Sequence, residues 1–432
     1  MIWSPRYECM PREELRSLQL ARLRTTLERA HEHVPLYRRR FDEAGIRPSS
    51  ISRLEEMRHI PFLTKQDMRD SFPYGLFASP MKDVARIHAS SGTTGRPTAV
   101  GYTRADLEMW SEAMARVVVA AGVTAEDVAH VAFGYGLFTG AFGLHHGLER
   151  VGAAVLPVSG GNTQRQVEIM RYFGSTALIC TPSYALRIAE VVEEMGARQE
   201  LKLRLGLFGA EPWSDAMRRE IEARLGIFAT DNYGLSELIG PGISGECPER
   251  SGLHINEDLF LAEVVDPDTL EPLAEGSVGE LVLTSLAKEA FPVVRYRTRD
   301  ITRLTYEPCR CGRTTARMQR VTGRTDDMLI VRGVNVFPSQ IESVLLEIEG
   351  TEPHYQIVLS RNGSMDDIEV QVEVSEGLFA DEARKLYLLR DRVAHRLSTV
   401  LGIAVGVKLA EPRSLERSEG KAKRVVDNRP KG

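Results

Sequence analysis

Two rhythms of apolar and polar positions follow one another along this chain, and the change of rhythm marks its organisation. Between about residues 86 and 237, short apolar runs (VAHVAF, AAVLPVS, TALICTP, LRLGLFGA, IFATDNYG) alternate with stretches of helical pattern such as TQRQVEIMRYF and SDAMRREIEARLG. Apolar runs of that length read as buried strands, and their alternation with helices predicts βαβ units in a largely parallel, helix-covered sheet. Ahead of them, residues 12–33 form a charged helical pattern that Pro35 interrupts, which predicts an N-terminal cap. From about residue 253 to 305 the helical pattern vanishes. Runs such as LFLAEVVD, GELVLTSL and DITRLTY, divided by Pro, Gly and acidic turns, predict antiparallel strands and a β-rich subdomain over about 247–322. After GRTDDM, strands (MLIVRG, YQIVLSR, IEVQVEV) mix with helices (PSQIESVLLEI, DEARKLYLLRDRVAHRLSTVLG) in a stretch of domain size. The predicted fold is α/β: a large N-terminal domain over 1–325 and a small α+β C-terminal domain over 326–432, with the boundary at Asp326.

Composition narrows the function classes. The 432 residues are 43% hydrophobic and 27% charged with a formal net charge of -5, an ordinary balance with no basic excess for nucleic acid or an anionic membrane. The N-terminus lacks an apolar stretch after a basic start, and no apolar run reaches spanning length, so a cytoplasmic location is expected. Five cysteines fit a reducing compartment better than a disulfide framework.

The most distinctive local chemistry is SSGTTGRPT, residues 90–98. Glycines permit tight turns and close backbone approach, while hydroxyls and N–H groups can surround an anion. VARIH before it reads as a strand, and TAVGYTRADLEMW after it runs through a strand into a helix capped by Thr103. Alone, the segment suits a polar surface turn as well as a phosphate loop. It lacks the Gly-Lys-Ser/Thr of the Walker pattern, so a lysine for ATP must come from elsewhere.

Further motifs follow in order: GAEPW (209–213), YGLSE (233–237), RYRTRD ending at Asp300, GRTDD (323–327) and SEGKAKR (418–424). Together with SSGTTGRPT they resemble the core motifs of the adenylate-forming superfamily, the acyl-CoA synthetases and their relatives, over essentially the whole chain. FGYGLFTGAFGLHHGLERVGA, RYRTRD and the modest length look most like the phenylacetate-CoA ligase branch.

The resemblance implies an ATP-dependent, AMP-forming ligation of an aryl acid such as phenylacetate to coenzyme A. A carboxylate attacks the α-phosphate to give an acyl adenylate and pyrophosphate, and the CoA thiol then displaces AMP. Ser90, Ser91, Gly92, Thr93, Thr94 and Gly95, with Arg96 where many relatives carry Lys, would hold the outer phosphates. Glu237 would bind Mg²⁺, assisted by the hydroxyl of Thr93 or Ser91. Asp300 would accept the ribose hydroxyls with Arg324 nearby, and Gly209, Ala210, Glu211 and Pro212 with Asp231, Tyr233, Gly234 and Ser236 would line the adenine side. The missing lysine is Lys421 by the family pattern, with Lys423 as the substitute. It rides on a mobile domain that pivots at Asp326, reaching the α-phosphate and then withdrawing. Tyr135, Phe138 and Phe142, spaced by glycines, would wall a flat acyl pocket.

Cys247, His254, Cys309 and Cys311 flank the β-rich segment in the number and type of a tetrahedral zinc site. Similar cysteines in some relatives of this branch support a structural Zn²⁺, against buried thiols and a surface histidine as the plain alternative. Cys9 and Cys180 read as single free thiols. A carrier-protein thiol in place of CoA, or an idle nucleotide-binding relative, are the competing readings, and a homodimer is the assembly to test for.

Overall fold

The computed structural model describes residues 1–90, 97–325, 329–332, 334–362, 365–379, 383–417 and 422–429. Its large unit is organised by a nine-stranded sheet. In spatial order the strands are Leu304–Thr305, Arg317–Met318, Leu253–Ile255, Gly240–Glu246, Phe228–Leu235, Leu205–Gly209, Ala177–Cys180, Val128–Val131 and Ala154–Leu156. The last five pair in parallel and the first five antiparallel, so the sheet changes character at Phe228–Leu235.

The parallel half is covered on both faces, which is why its strands read as continuous apolar runs. Ala177, Ile179, Leu205 and Leu207 face one core, shared with helices Arg104–Ala120 and Gly140–Val151. Their neighbours Leu178, Cys180 and Phe208 face the other, shared with Thr163–Phe173, Pro182–Glu194 and Asp215–Leu225. Thr103 caps its helix as predicted: its hydroxyl accepts the Asp106 N–H at 3.1 Å and the Asp106 carboxylate accepts the Thr103 N–H at 2.9 Å. Pro35 ends the helix Arg12–His33 and occupies the first turn of the next, Pro35–Glu43, where its missing N–H costs nothing.

The strands predicted after residue 253 divide between two sheets. Phe260–Val265, Gly279–Ser285, Tyr296–Thr302 and Gly323–Arg324 make a separate antiparallel sheet, whereas Leu253–Ile255, Leu304–Thr305 and Arg317–Met318 extend the large one. From residue 329 onward the chain builds its own core from Ile341, Ile357, Val370, Val393 and Leu397. Its sheet runs Gly406–Ala410, Met365–Val374, Thr351–Asn362, Val425–Asp427, and helices Pro338–Leu346 and Ala383–Leu401 pack with it. Among the described residues, no helix is long and apolar enough to cross a membrane.

Candidate active site

A cavity of about 100 Å³, open at its mouth, lies where the large sheet turns from parallel to antiparallel. Open α/β sheets place ligands outside the carboxyl ends of their parallel strands, and the ends of Leu205–Gly209 and Phe228–Leu235 supply this lining. Gly209 is required by the close approach of the two strands, since a Cβ there would meet the Asn232 carbonyl oxygen at 2.4 Å. The next residue, Ala210, sits at φ 72°, a left-handed conformation that turns the chain sharply into Glu211 and Pro212. Gly234 answers a similar need: a Cβ there would lie 2.0 Å from the Gly240 oxygen, at the register shift between Phe228–Leu235 and Gly240–Glu246.

Across the cavity stands a polar trio. Asp300 and Arg324 are direct partners on adjacent antiparallel strands, their charged groups 3.3 Å apart, and the Tyr233 hydroxyl donates to the other Asp300 oxygen at 2.5 Å. Burial, and then the Asp300 carboxylate, push the Tyr233 phenol well above its usual range and keep it a donor. Asp300 is buried and its own N–H is held by the Thr298 hydroxyl at 3.0 Å, so the carboxylate is fixed in place. Asp231 lines the same cavity; burial and the nearby Glu246 carboxylate push it upward, favouring the protonated acid.

Glu237 is buried in the turn that reverses the sheet, with the Lys65 ammonium 3.4 Å from its carboxylate. Ser236 shares a 3.0 Å hydrogen bond with Thr139, and the buried Lys288 ammonium donates to the Leu238 carbonyl. Ser90 closes the hairpin Arg86–Ala89 and Ala99–Tyr102: its hydroxyl accepts the Thr98 N–H at 3.0 Å, and its N–H donates to the Thr98 carbonyl. Ser91, Gly92, Thr93, Thr94, Gly95, Arg96, Asp326 and Lys421 lie outside the described residues. Lys423 is described and lines a second cavity between the two units, which shares Glu211, Pro212 and Arg324 with the first.

Of the predicted acyl-pocket rings, Tyr135 and Phe142 meet edge-on at 5.3 Å, and the Tyr135 hydroxyl bonds His145 Nδ1 at 3.0 Å. The Arg86 guanidinium lies 5.1 Å from the centre of the Phe142 ring. Phe138 stands apart in character, with 49% of its surface exposed. Sequence reasoning passed over Trp213, Asn232, Leu253, Met318, Arg320 and Val321, all of which line the cavity. Only Trp213 carried a local signal, as the last letter of GAEPW; the others arrive through sheet topology.

Cys247, His254, Cys309 and Cys311 converge on the far side of the antiparallel half, with one ligand atom from each within 4.8 Å of all the others. The sulfurs of Cys247 and Cys309 are 3.8 Å apart, and Cys311 Sγ is 3.4 Å from His254 Nε2. A tetrahedron with Zn–S bonds of about 2.3 Å has an S···S edge of about 3.8 Å, so the four residues fit zinc. His254 Nδ1 bonds the Thr315 hydroxyl at 3.2 Å, which leaves Nε2 turned to the cluster. The Cys247 thiol, His254 and Arg313 all push Cys311 down towards thiolate, while the Cys311 sulfur pushes Cys247 up.

Comparison with known proteins agrees with this architecture. The family model for AMP-binding enzymes matches residues 33–287, and that for the AMP-binding enzyme C-terminal domain matches residues 333–429. The chain is 51% identical to a phenylacetate-coenzyme A ligase of Thermus thermophilus over 99% of its length and 100% of that protein's. It is 49% identical to a phenylacetate-coenzyme A ligase of Escherichia coli over 96% of this chain and 95% of that one. A 2-hydroxyisobutyryl-CoA ligase in its postadenylation state, bound to an acyl-AMP, superposes with a TM-score of 0.93 at 32% identity, covering 98% of this chain and 92% of the other. The same ligase in its thioesterification state, with acyl-AMP and CoA, superposes at 0.72 with the same coverage and 33% identity. The pocket at the sheet reversal and the two matched segments thus make one case: this chain belongs to the family of AMP-binding, adenylate-forming enzymes.

Proposed function

We infer that this chain is an ATP-dependent, AMP-forming acid:CoA ligase acting on an aryl carboxylic acid such as phenylacetate. The observation that carries the reading is the Tyr233, Asp300 and Arg324 trio facing the Gly209–Pro212 turn across one cavity. A fixed carboxylate opposite a flat slot is what a ribose and an adenine require. The substrate class rests on the phenylacetate-CoA ligases that share about half of its residues.

In the first step a substrate carboxylate oxygen bonds the α-phosphorus of ATP, and the bond from that phosphorus to the pyrophosphate oxygen breaks. Two anions must meet in line, so the enzyme's task is positioning and charge neutralisation. Lys421 and Arg96 supply cationic donors to the phosphates, with Ser90–Gly95 as the loop around them. Glu237 would hold Mg²⁺, which supplies further neutralisation of the phosphate oxygens. In the second step the CoA sulfur bonds the acyl carbon, its proton leaves and AMP departs. Tyr135 and Phe142 wall the acyl group, with Phe138 at the rim. Residues 326–432 form the mobile domain, Asp326 the hinge. Cys247, His254, Cys309 and Cys311 would hold a structural Zn²⁺, which supplies a cross-link between Leu253–Ile255 and the loop that precedes Arg317–Met318.

A panel of carboxylic acids, scored for pyrophosphate release with and without CoA, tests the reading. Aryl acetic acids should release pyrophosphate best, with sustained turnover only when CoA is present. Lys421→Ala should slow adenylate formation on the order of 10²- to 10³-fold while sparing thioester formation from a supplied acyl adenylate. Equal loss in both half-reactions would remove Lys421 from the role given it.

A further inference from the structure

The small unit packs Leu346 against the second core of the large one, and around Glu190 the contact is carried by charge. Glu190, on the helix Pro182–Glu194, accepts from two guanidinium groups and an imidazole at once. Arg187 on its own helix is 2.8 Å away, Arg417 of the small unit 3.3 Å away, and His354 of the small unit bonds the other carboxylate oxygen. These partners, with burial opposing them, hold the Glu190 carboxyl far down in its range, at about 2. One turn later, Glu194 pairs with Arg413 at 3.2 Å.

The small unit prepares this contact internally. Buried Glu373 accepts the N–H groups of Arg413 and Leu415 at 3.0 and 2.7 Å and grips the Arg417 guanidinium at 2.7 and 2.8 Å. That one carboxylate folds residues 413–417 into a turn that presents Arg413 and Arg417 outward. Beyond them the chain is caught a second time, because the Ala422 N–H donates to Glu211 at 3.0 Å. The other Glu211 oxygen is held by the Ser183 N–H at 2.7 Å, at the start of the helix that carries Glu190. Arg417 and Ala422 are thus both tied, through Glu190 and Glu211, to the helix Pro182–Glu194.

We propose that Glu190 is a positioning residue for the first half-reaction: by receiving His354 and Arg417 it holds the small unit against the large one in the arrangement that half-reaction uses. The inference rests on the adenylate-forming reading. These contacts belong to the arrangement that matches the postadenylation relative at 0.93, and the thioesterification arrangement of the same relative matches at 0.72. A tie that exists in one arrangement stabilises that arrangement alone, so it acts on one half-reaction.

The full-length protein tests this with two variants that approach the contact from opposite sides, Glu190→Gln and Arg417→Gln. ATP–pyrophosphate exchange reads the first half-reaction; supplied acyl adenylate plus CoA reads the second. Each variant should lose roughly tenfold in exchange, the scale of one charge-assisted hydrogen bond, with no loss in thioester formation. Equal losses in both reactions, or full exchange activity in both variants, would overturn the proposal. Wild-type exchange with unaffected variants overturns the positioning role only, whereas wild-type protein that exchanges pyrophosphate with no acid overturns the adenylate-forming reading as well.

Discussion

The cavity at the sheet reversal and the Cys/His cluster are interleaved in sequence, yet they are opposite kinds of site. Walking along the chain, Tyr233 belongs to the first, Cys247 and His254 to the second, Asp300 to the first, Cys309 and Cys311 to the second, and Arg324 to the first. The cavity groups are oxygen- and nitrogen-bearing side chains that tie one another down while leaving an open space beside them. The cluster groups are soft and leave no room, every ligand atom lying within 4.8 Å of the rest. Room beside fixed charge suits a ligand that arrives and leaves, and four converging ligands suit an ion that stays. The two share strands, so disturbance of one can reach the other.

Between these two sites, the larger expected effect comes from removing the cavity's anchor. Asp300→Ala strands the Tyr233 hydroxyl and Arg324 without their shared acceptor, and the KM for ATP should rise on the order of 10²-fold, the scale of two charge-assisted hydrogen bonds. Metal content should not move, which keeps the two sites distinct; steady-state kinetics with metal analysis of the same sample checks both. Cys309→Ser should do the reverse, lowering bound zinc from about one equivalent and the melting temperature by several degrees, with activity falling afterwards as alignment suffers. Zinc unchanged by that substitution, measured on unfractionated protein, would return the four residues to ordinary thiols and an imidazole.

The smallest effect sharpens the cavity side. Lys288 is fully enclosed behind the Glu237 turn, its ammonium 4.1 Å from the centre of the Tyr102 ring, and burial pushes it down to about 7. Below pH 7 the folded and unfolded chains both carry the proton. Between about 7 and 10.5 the unfolded chain binds more protons than the folded one, so stability rises with pH across that window. Melting temperature followed from pH 7 to 10 should show this rise, and Lys288→Met should flatten it.

Much of this was legible because it is local. Thr103 and Asp106 lie three residues apart, and the apolar runs of the parallel half, buried on both faces, announce themselves without reference to anything distant. The motif set named Glu237, Asp300 and Arg324, and the fold brings Asp300 and Arg324 into direct cross-strand register. Illegible were the features that depend on where distant segments land. Glu190 sits in an ordinary amphipathic helix, and nothing near it in sequence announces His354 or Arg417, 164 and 227 residues away. Lys65 was equally silent: a surface lysine until folding sets it against Glu237. Short strands were missed for another reason, since Gly406–Ala410 and Val425–Asp427 are half-exposed edge segments with no long apolar run.

The alternation of Leu178 and Cys180 into one core with Ala177 and Ile179 into the other has a consequence for how this chain can vary. A conservative exchange at any of these positions disturbs one core. Inserting or deleting a single residue within Ala177–Cys180 would rotate every later side chain of the strand to the opposite face and disrupt both cores at once. Drift in length is therefore confined to the connections between strands and helices, such as 157–162, while the parallel strands themselves are held to a fixed count of residues.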